Sequence, residues 1–112
     1  MTLVCEVMGR RAFSLAIIYA LGVITIRDIV QFGSPEIKKR VLEGFVQGDA
    51  PVALGITEPQ AGSDAAALRA AATFDGDDVV FNGQKMYCTL AEISPYIMLM
   101  TRDPGGANPY EC

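Results

Sequence analysis

Leu54-Gly55-Ile56-Thr57-Glu58-Pro59-Gln60-Ala61-Gly62-Ser63-Asp64 is the stretch on which the reading of this chain turns. Val52, Leu54 and Ile56 alternate with Ala53, Gly55 and Thr57, the period-two pattern of a short strand. Pro59 removes a backbone donor and biases Glu58 away from helix, so the strand is expected to stop there. Gly62 lets the backbone approach a ligand closely. Ser63 and Asp64 are N-cap types for a small-residue helix starting at Ala65-Ala66-Ala67-Leu68. A strand edge, a Gly-Ser turn and a helix N-terminus in succession can cradle an anion or a cofactor. The same residues also make a capped turn with no ligand, and residue types alone leave both open.

Downstream the chain reads as strands. Arg69 to Phe74 is strand-like, and Asp75-Gly76-Asp77-Asp78 is a solvent-exposed turn without the ligand spacing of a calcium loop. Val79-Val80-Phe81 leads into Asn82-Gly83, where a hairpin is expected to turn. Lys85 to Thr89 follows as a further strand. Alternation puts Lys85, Tyr87 and Thr89 on one face and Met86 and Cys88 on the other, with Tyr87 and Thr89 roughly 7 Å apart. An aromatic plate beside a hydroxyl could pack on a planar ring and bond its edge. Tyr and Thr are equally ordinary strand residues.

Upstream, Ser34 can N-cap a helix with Pro35 at its first position and Glu36 near its positive end. Ile37, Val41, Leu42 and Phe45 fall at helical spacing, and Gly48 is a natural stop. Lys38, Lys39 and Arg40 form a solvated face, since Glu36 and Glu43 share the helix. Arg10-Arg11 before an uncharged run to Ile26 resembles an export signal. The run has no small-residue cleavage site, is shorter than the roughly twenty residues a bilayer needs, and is interrupted by Gly22. It is read as a buried helix pair.

The 112 residues suffice for one modest core, yet 51% are hydrophobic and the formal charge is −4. One explanation for so apolar a chain is a piece of a larger protein whose apolar faces meet partners there. Its acidity argues against a nucleic-acid footprint. Cys5, Cys88 and Cys112 are odd in number and follow no metal or disulfide spacing, which suits a reducing compartment and, with no other ligand pattern, gives no metal site. The absence of histidine excludes a Ser-His or Cys-His nucleophile system within these residues.

Three blocks in order and spacing then carry a resemblance. Thr57-Glu58-Pro59 with Ala61-Gly62-Ser63-Asp64 resembles the motif opening the middle β-domain of FAD-dependent acyl-CoA dehydrogenases. Phe81-Asn82-Gly83-Gln84-Lys85-Met86-Tyr87-Cys88-Thr89 and Pro95-Tyr96-Ile97-Met98-Leu99-Met100-Thr101-Arg102-Asp103 are similar to the family's next two blocks. The Ser94-Pro95-Tyr96-Ile97 run especially resembles the crotonobetainyl-CoA reductase branch.

The resemblance implies an α+β chain. Residues 1–49 would be the C-terminal part of a truncated N-terminal helical domain, and 50–112 the first, incomplete part of an antiparallel flavin-binding β-domain. It implies FAD as cofactor, with Gly55, Ile56 and the Thr57 hydroxyl at the flavin edge. Gly62 and Ser63 would lie by the pyrophosphate, Ser63 also touching the acyl-CoA substrate, and Tyr87, Cys88 and Thr89 by the isoalloxazine. The family often has Trp or Phe where Tyr87 stands, and Leu90-Ala91 departs from its usual continuation. The family's catalytic base lies in a later helical domain, so no catalytic residue is assigned here, and Glu58 and Asp64 are read as capping backbone donors. An electron-transfer flavoprotein or similar acceptor, a homo-oligomeric complete enzyme, a cytoplasmic location and no membrane or nucleic-acid partner complete the expectation. The alternatives are a non-catalytic flavin- or CoA-binding module and a structural remnant.

Overall fold

The computed structural model describes residues 1–102, so Asp103 and Cys112 lie outside the described residues. The chain is α+β and divides into two compact units. One comprises Met1–Leu54 and Thr89–Met98, and the other Gly55–Cys88 with the described residues from Leu99.

In the first unit, α1 spans Thr2–Gly9, α2 Phe13–Phe32 and α3 Pro35–Gln47. The predicted third helix is present with its punctuation. Ser34 Oγ accepts from Ile37 N–H at 3.2 Å, Pro35 sits in the first turn, and Gly48 ends the helix in the left-handed region at φ 84°. Only glycine adopts that conformation without strain.

α2 differs from expectation. It is one continuous 20-residue helix rather than a pair broken at Gly22, and Ala16 and Thr25 are its buried residues. A Cβ on Gly22 would stand 3.1 Å from Phe45 Cζ, so the missing side chain admits the α3 ring. That packing offsets the roughly 1 kcal/mol a helical glycine costs. Thr25, fully buried, satisfies its hydroxyl by donating to the Leu21 carbonyl at 2.6 Å. By length and composition alone α2 could cross a membrane, and most of its residues are exposed or half-buried, so it is not the buried helix expected.

After Gly48 the chain enters β1 (Val52–Gly55), which pairs with β4 (Tyr96–Leu99). Val52, Ala53 and Gly55 are buried, so both faces of β1 are covered. The strand ends at Gly55, short of the expected Glu58, because the residues that follow turn their carbonyls to other partners, described below.

In the second unit, β2 (Ala71–Asp75) and β3 (Asp78–Asn82) form an antiparallel hairpin pairing Ala71 with Asn82, Thr73 with Val80 and Asp75 with Asp78. The turn is at Gly76-Asp77, with Gly76 at φ 63°, not at Asn82-Gly83. A two-residue loop needs positive φ, and Gly76 supplies it where the paired aspartates close the ladder. Gly83 instead marks the exit from β3, where a Cβ would overlap Ala70.

The expected helix after Ser63-Asp64 is only a 3₁₀ turn at Ala65–Ala67, which Asp64 precedes without a side-chain capping bond. Three alanines offer no apolar stripe to bury, and the chain extends again at Leu68.

Candidate functional site

The second unit is built around one buried carboxylate. Glu58 N–H donates to the Ala61 carbonyl at 2.9 Å and Ala61 N–H returns the bond at 3.1 Å, closing a tight turn with Pro59 at its second position. The turn sends the Glu58 side chain inward, where it is 2% exposed. There it accepts from Arg69 N–H at 2.7 Å, Ala70 N–H at 2.9 Å, Lys85 Nζ at 2.7 Å and the Gln60 side-chain amide.

These donors decide its ionisation. Burial alone raises the carboxyl pKa, but the Lys85 hydrogen bond, the two backbone N–H groups and the ammonium charge outweigh it. The carboxyl is held down at about 2. Four donors round an acceptor-only group leave it no proton to give and no free lone pair aimed outward. Glu58 therefore caps backbone donors, as its place in the motif suggested. Asp64, by contrast, is exposed and makes no capping bond.

Lys85 is the other half of the centre. Its ammonium, on a side chain 9% exposed, reaches both Glu58 and the Ile56 carbonyl, the latter at 3.0 Å. Beside it, Met86 N–H donates to the Thr57 carbonyl at 2.8 Å. Gly55 carries no side chain for a steric reason. A Cβ there would be 2.7 Å from Leu99 Cδ2 and 3.4 Å from both Lys85 Cγ and Cys88 Sγ. The Gly55 carbonyl accepts from Met100 N–H at 3.0 Å.

Residues 83–88 are not in a strand, contrary to the sequence expectation. Lys85 and Cys88 both converge on Gly55, whereas strict alternation would put them on opposite faces. Tyr87, between them, has φ 56°, and its side is 83% exposed. Its ring thus stands in solvent while its neighbours are anchored.

The structure therefore gathers Gly55, Ile56 and Thr57 with Cys88 and the backbone leading to Tyr87. Gly62 and Ser63 lie in an exposed bend, and a Cβ on Gly62 would meet nothing within 4 Å. Among the described residues no hydrogen bond joins them to the rest of this group. Thr89 opens a run of turns in the first unit and is exposed. Lys85 is the residue that sequence reasoning missed. Its partner is 27 positions away, and no local spacing signals an inward lysine.

Residues 53–111 match the family model described as acyl-CoA dehydrogenase, middle domain. Acyl-CoA dehydrogenase FadE29 of Mycobacterium tuberculosis is 46% identical over 76 residues, covering 67% of this chain and 20% of that protein. Cyclohex-1-ene-1-carbonyl-CoA dehydrogenase of Geobacter metallireducens is 35% identical over 100 residues, covering 88% of this chain and 26% of the relative. Among solved structures, a glutaryl-CoA dehydrogenase from Mycobacterium smegmatis in complex with FADH2 superposes with a TM-score of 0.70 at 33% identity. That match covers 73% of this chain and 21% of that one. The chain thus spans about a fifth to a quarter of the length of these relatives.

Proposed function

The chain belongs to the acyl-CoA dehydrogenase family, and from that premise we propose that its second unit is a flavin-supporting segment of an FAD-dependent acyl-CoA dehydrogenase. The observation that carries the reading is Tyr87. A large aromatic ring stands 83% exposed on a segment whose flanking residues are fixed inward. Exposed ring area on a rigid mount suits stacking against a planar partner.

The donor chemistry fits FAD. The Thr57 hydroxyl makes no hydrogen bond among the described residues and is free to bind a ring-edge atom. Open space at Gly62 and the exposed Ser63 hydroxyl suit a phosphate-bearing or thioester ligand. Gly55, Ile56, Thr57, Gly62, Ser63, Tyr87 and Cys88 would hold the cofactor, with Ser63 also facing the acyl-CoA. Thr89 takes its assignment from the sequence resemblance alone. FAD would supply the hydride-accepting chemistry, and these residues would bind and orient it.

The proposed division is helical domain at 1–49 and β-domain from 50. The substrate is an acyl-CoA thioester undergoing α,β-dehydrogenation, or the reverse reduction. An electron-transfer flavoprotein as acceptor, a homo-oligomer and a cytoplasmic location follow from the same reading. No catalytic residue is assigned, because Glu58 is fully engaged by donors and Asp64 faces solvent.

The test is titration of the isotopically labelled chain with FAD, read at the backbone amides. Binding is expected to be weak, because the described surface offers only part of a dinucleotide's contacts. Shifts should concentrate at Ile56, Thr57 and Met86–Cys88. Shifts confined to the helices, or none at millimolar FAD, would overturn the proposal.

A further inference from the structure

We propose that the buried Lys85–Glu58 pair is a positioning device that holds Tyr87 in its left-handed conformation and so presents the ring outward. The inference rests on the flavin reading for the purpose of that ring, but its geometry stands independently.

The path of the chain explains the need for such a device. Lys85 Cγ and Cys88 Sγ both come within 3.4 Å of where a Gly55 Cβ would be. Residues three apart on an extended chain point to opposite faces. Both can face Gly55 only if the backbone turns between them, and Tyr87 at φ 56° supplies that turn. For a residue other than glycine this conformation is unfavourable and persists only where the surroundings hold it.

The surroundings hold it from both sides. Upstream, Lys85 Nζ is bound to the Ile56 carbonyl and to Glu58, and Met86 N–H is bound to the Thr57 carbonyl. Downstream, the Cys88 thiol sits by Gly55 and donates to the Met86 carbonyl at 3.8 Å. Glu58 is itself fixed by Arg69 and Ala70 N–H, so the clamp is anchored to the segment that leads into β2. Relaxing Lys85 would free the chain to return to simple alternation. The Tyr87 ring would then change direction without any change to Tyr87 itself.

The experiment compares the parent chain with Lys85→Met and Lys85→Arg by backbone ¹³C shifts at Tyr87, which report a left-handed residue, and by FAD-induced amide shifts. Lys85→Met should lose the left-handed signature at Tyr87 and lose the FAD-induced shifts at Tyr87 and Cys88. Lys85→Arg, which keeps the charge and the donors, should retain both. If Lys85→Met alone does not fold, the Glu58→Gln/Lys85→Met variant, with no uncompensated charge, carries the same comparison. A purely structural role would lower stability and leave the Tyr87 shifts of the folded chain unchanged, and that result overturns the proposal. A parent chain that keeps the left-handed signature but shows no FAD-induced shifts would overturn the flavin reading while the ¹³C comparison still decides the role of Lys85.

Discussion

Replacing Glu58 by Gln tests the centre of the second unit. The carboxylate accepts from two backbone N–H groups, the Lys85 ammonium and the Gln60 amide, at 2% exposure. Glutamine brings one acceptor oxygen and two N–H donors, so part of that ring of donors would face another donor. Lys85, 9% exposed, would lose its charge partner, with the Ile56 carbonyl and at best a neutral amide oxygen in its place. Removing one member of a buried pair costs roughly 3–5 kcal/mol, since it strands the other charge. The ionisation of Glu58 gives a consistent figure. A fall from 4.5 to about 2 on folding corresponds to about 3 kcal/mol.

Because the folded-state value is depressed, that contribution is fully present above pH 4.5 and is lost as the pH falls towards 2. The informative quantity is the difference between parent and variant. Urea unfolding at pH 7 should show Glu58→Gln less stable by roughly 3–5 kcal/mol. The gap should shrink by about 3 kcal/mol between pH 4.5 and pH 2. A variant within about 0.5 kcal/mol of the parent at pH 7, as for an ordinary surface change, would refute the reasoning. So would a gap that does not vary with pH.

Gly83→Ala should destabilise the β2–β3 hairpin, because its Cβ would overlap the Ala70 backbone and φ 153° is strained for alanine; amide exchange at Val80 and Asn82, which face β2, should quicken by roughly tenfold or more, and unchanged exchange would count against it. Gly22→Leu should loosen α2 from α3 by pushing against the Phe45 ring, costing roughly 1–3 kcal/mol in urea unfolding, whereas Gly22→Ala should cost less. In a complete enzyme carrying this segment, Thr89→Val should slow flavin reduction while leaving the melting temperature near that of the parent, the lost bond being worth roughly 0.5–1.5 kcal/mol. The 112-residue chain with excess FAD should not reduce a dye with any acyl-CoA thioester, since a positioned base is worth roughly 100- to 10,000-fold in rate; turnover abolished by Glu58→Gln or Asp64→Asn would show a base among these residues.

Much of the fold was legible where a local rule had no competitor. Ser34, Pro35 and Gly48 mark the bounds of α3 because capping chemistry depends on adjacent residues only. The turn at Gly76 and the hairpin at Asn82-Gly83 were both plausible from sequence. Ladder register decided between them, and register is a property of paired strands. Gly22 reads as a helix interruption until Phe45, from another helix, is seen to occupy its place.

The site shows the same division. Alternation and turn chemistry marked a strand running into a turn at 54–64, and the capping role of Glu58 agrees with its place in that turn, whereas a flavin role for Gly55, Ile56 and Thr57 came from the family resemblance alone. Lys85 to Thr89 was misread as an alternating strand, because the convergence of Lys85 and Cys88 on Gly55 is a long-range contact that no periodicity encodes. The burial of Lys85 has the same origin, since its partners Ile56 and Glu58 belong to a distant turn.

The most direct test of the account is a graft. Residues 53–111 of this chain would replace the corresponding segment of a complete acyl-CoA dehydrogenase, and the purified chimaera's flavin content would be measured beside that of the same graft carrying Tyr87→Ala. The account predicts a folded chimaera that retains bound FAD, with the Tyr87→Ala graft equally folded but depleted of the cofactor. A chimaera that folds and assembles like its parent yet contains no flavin would contradict it.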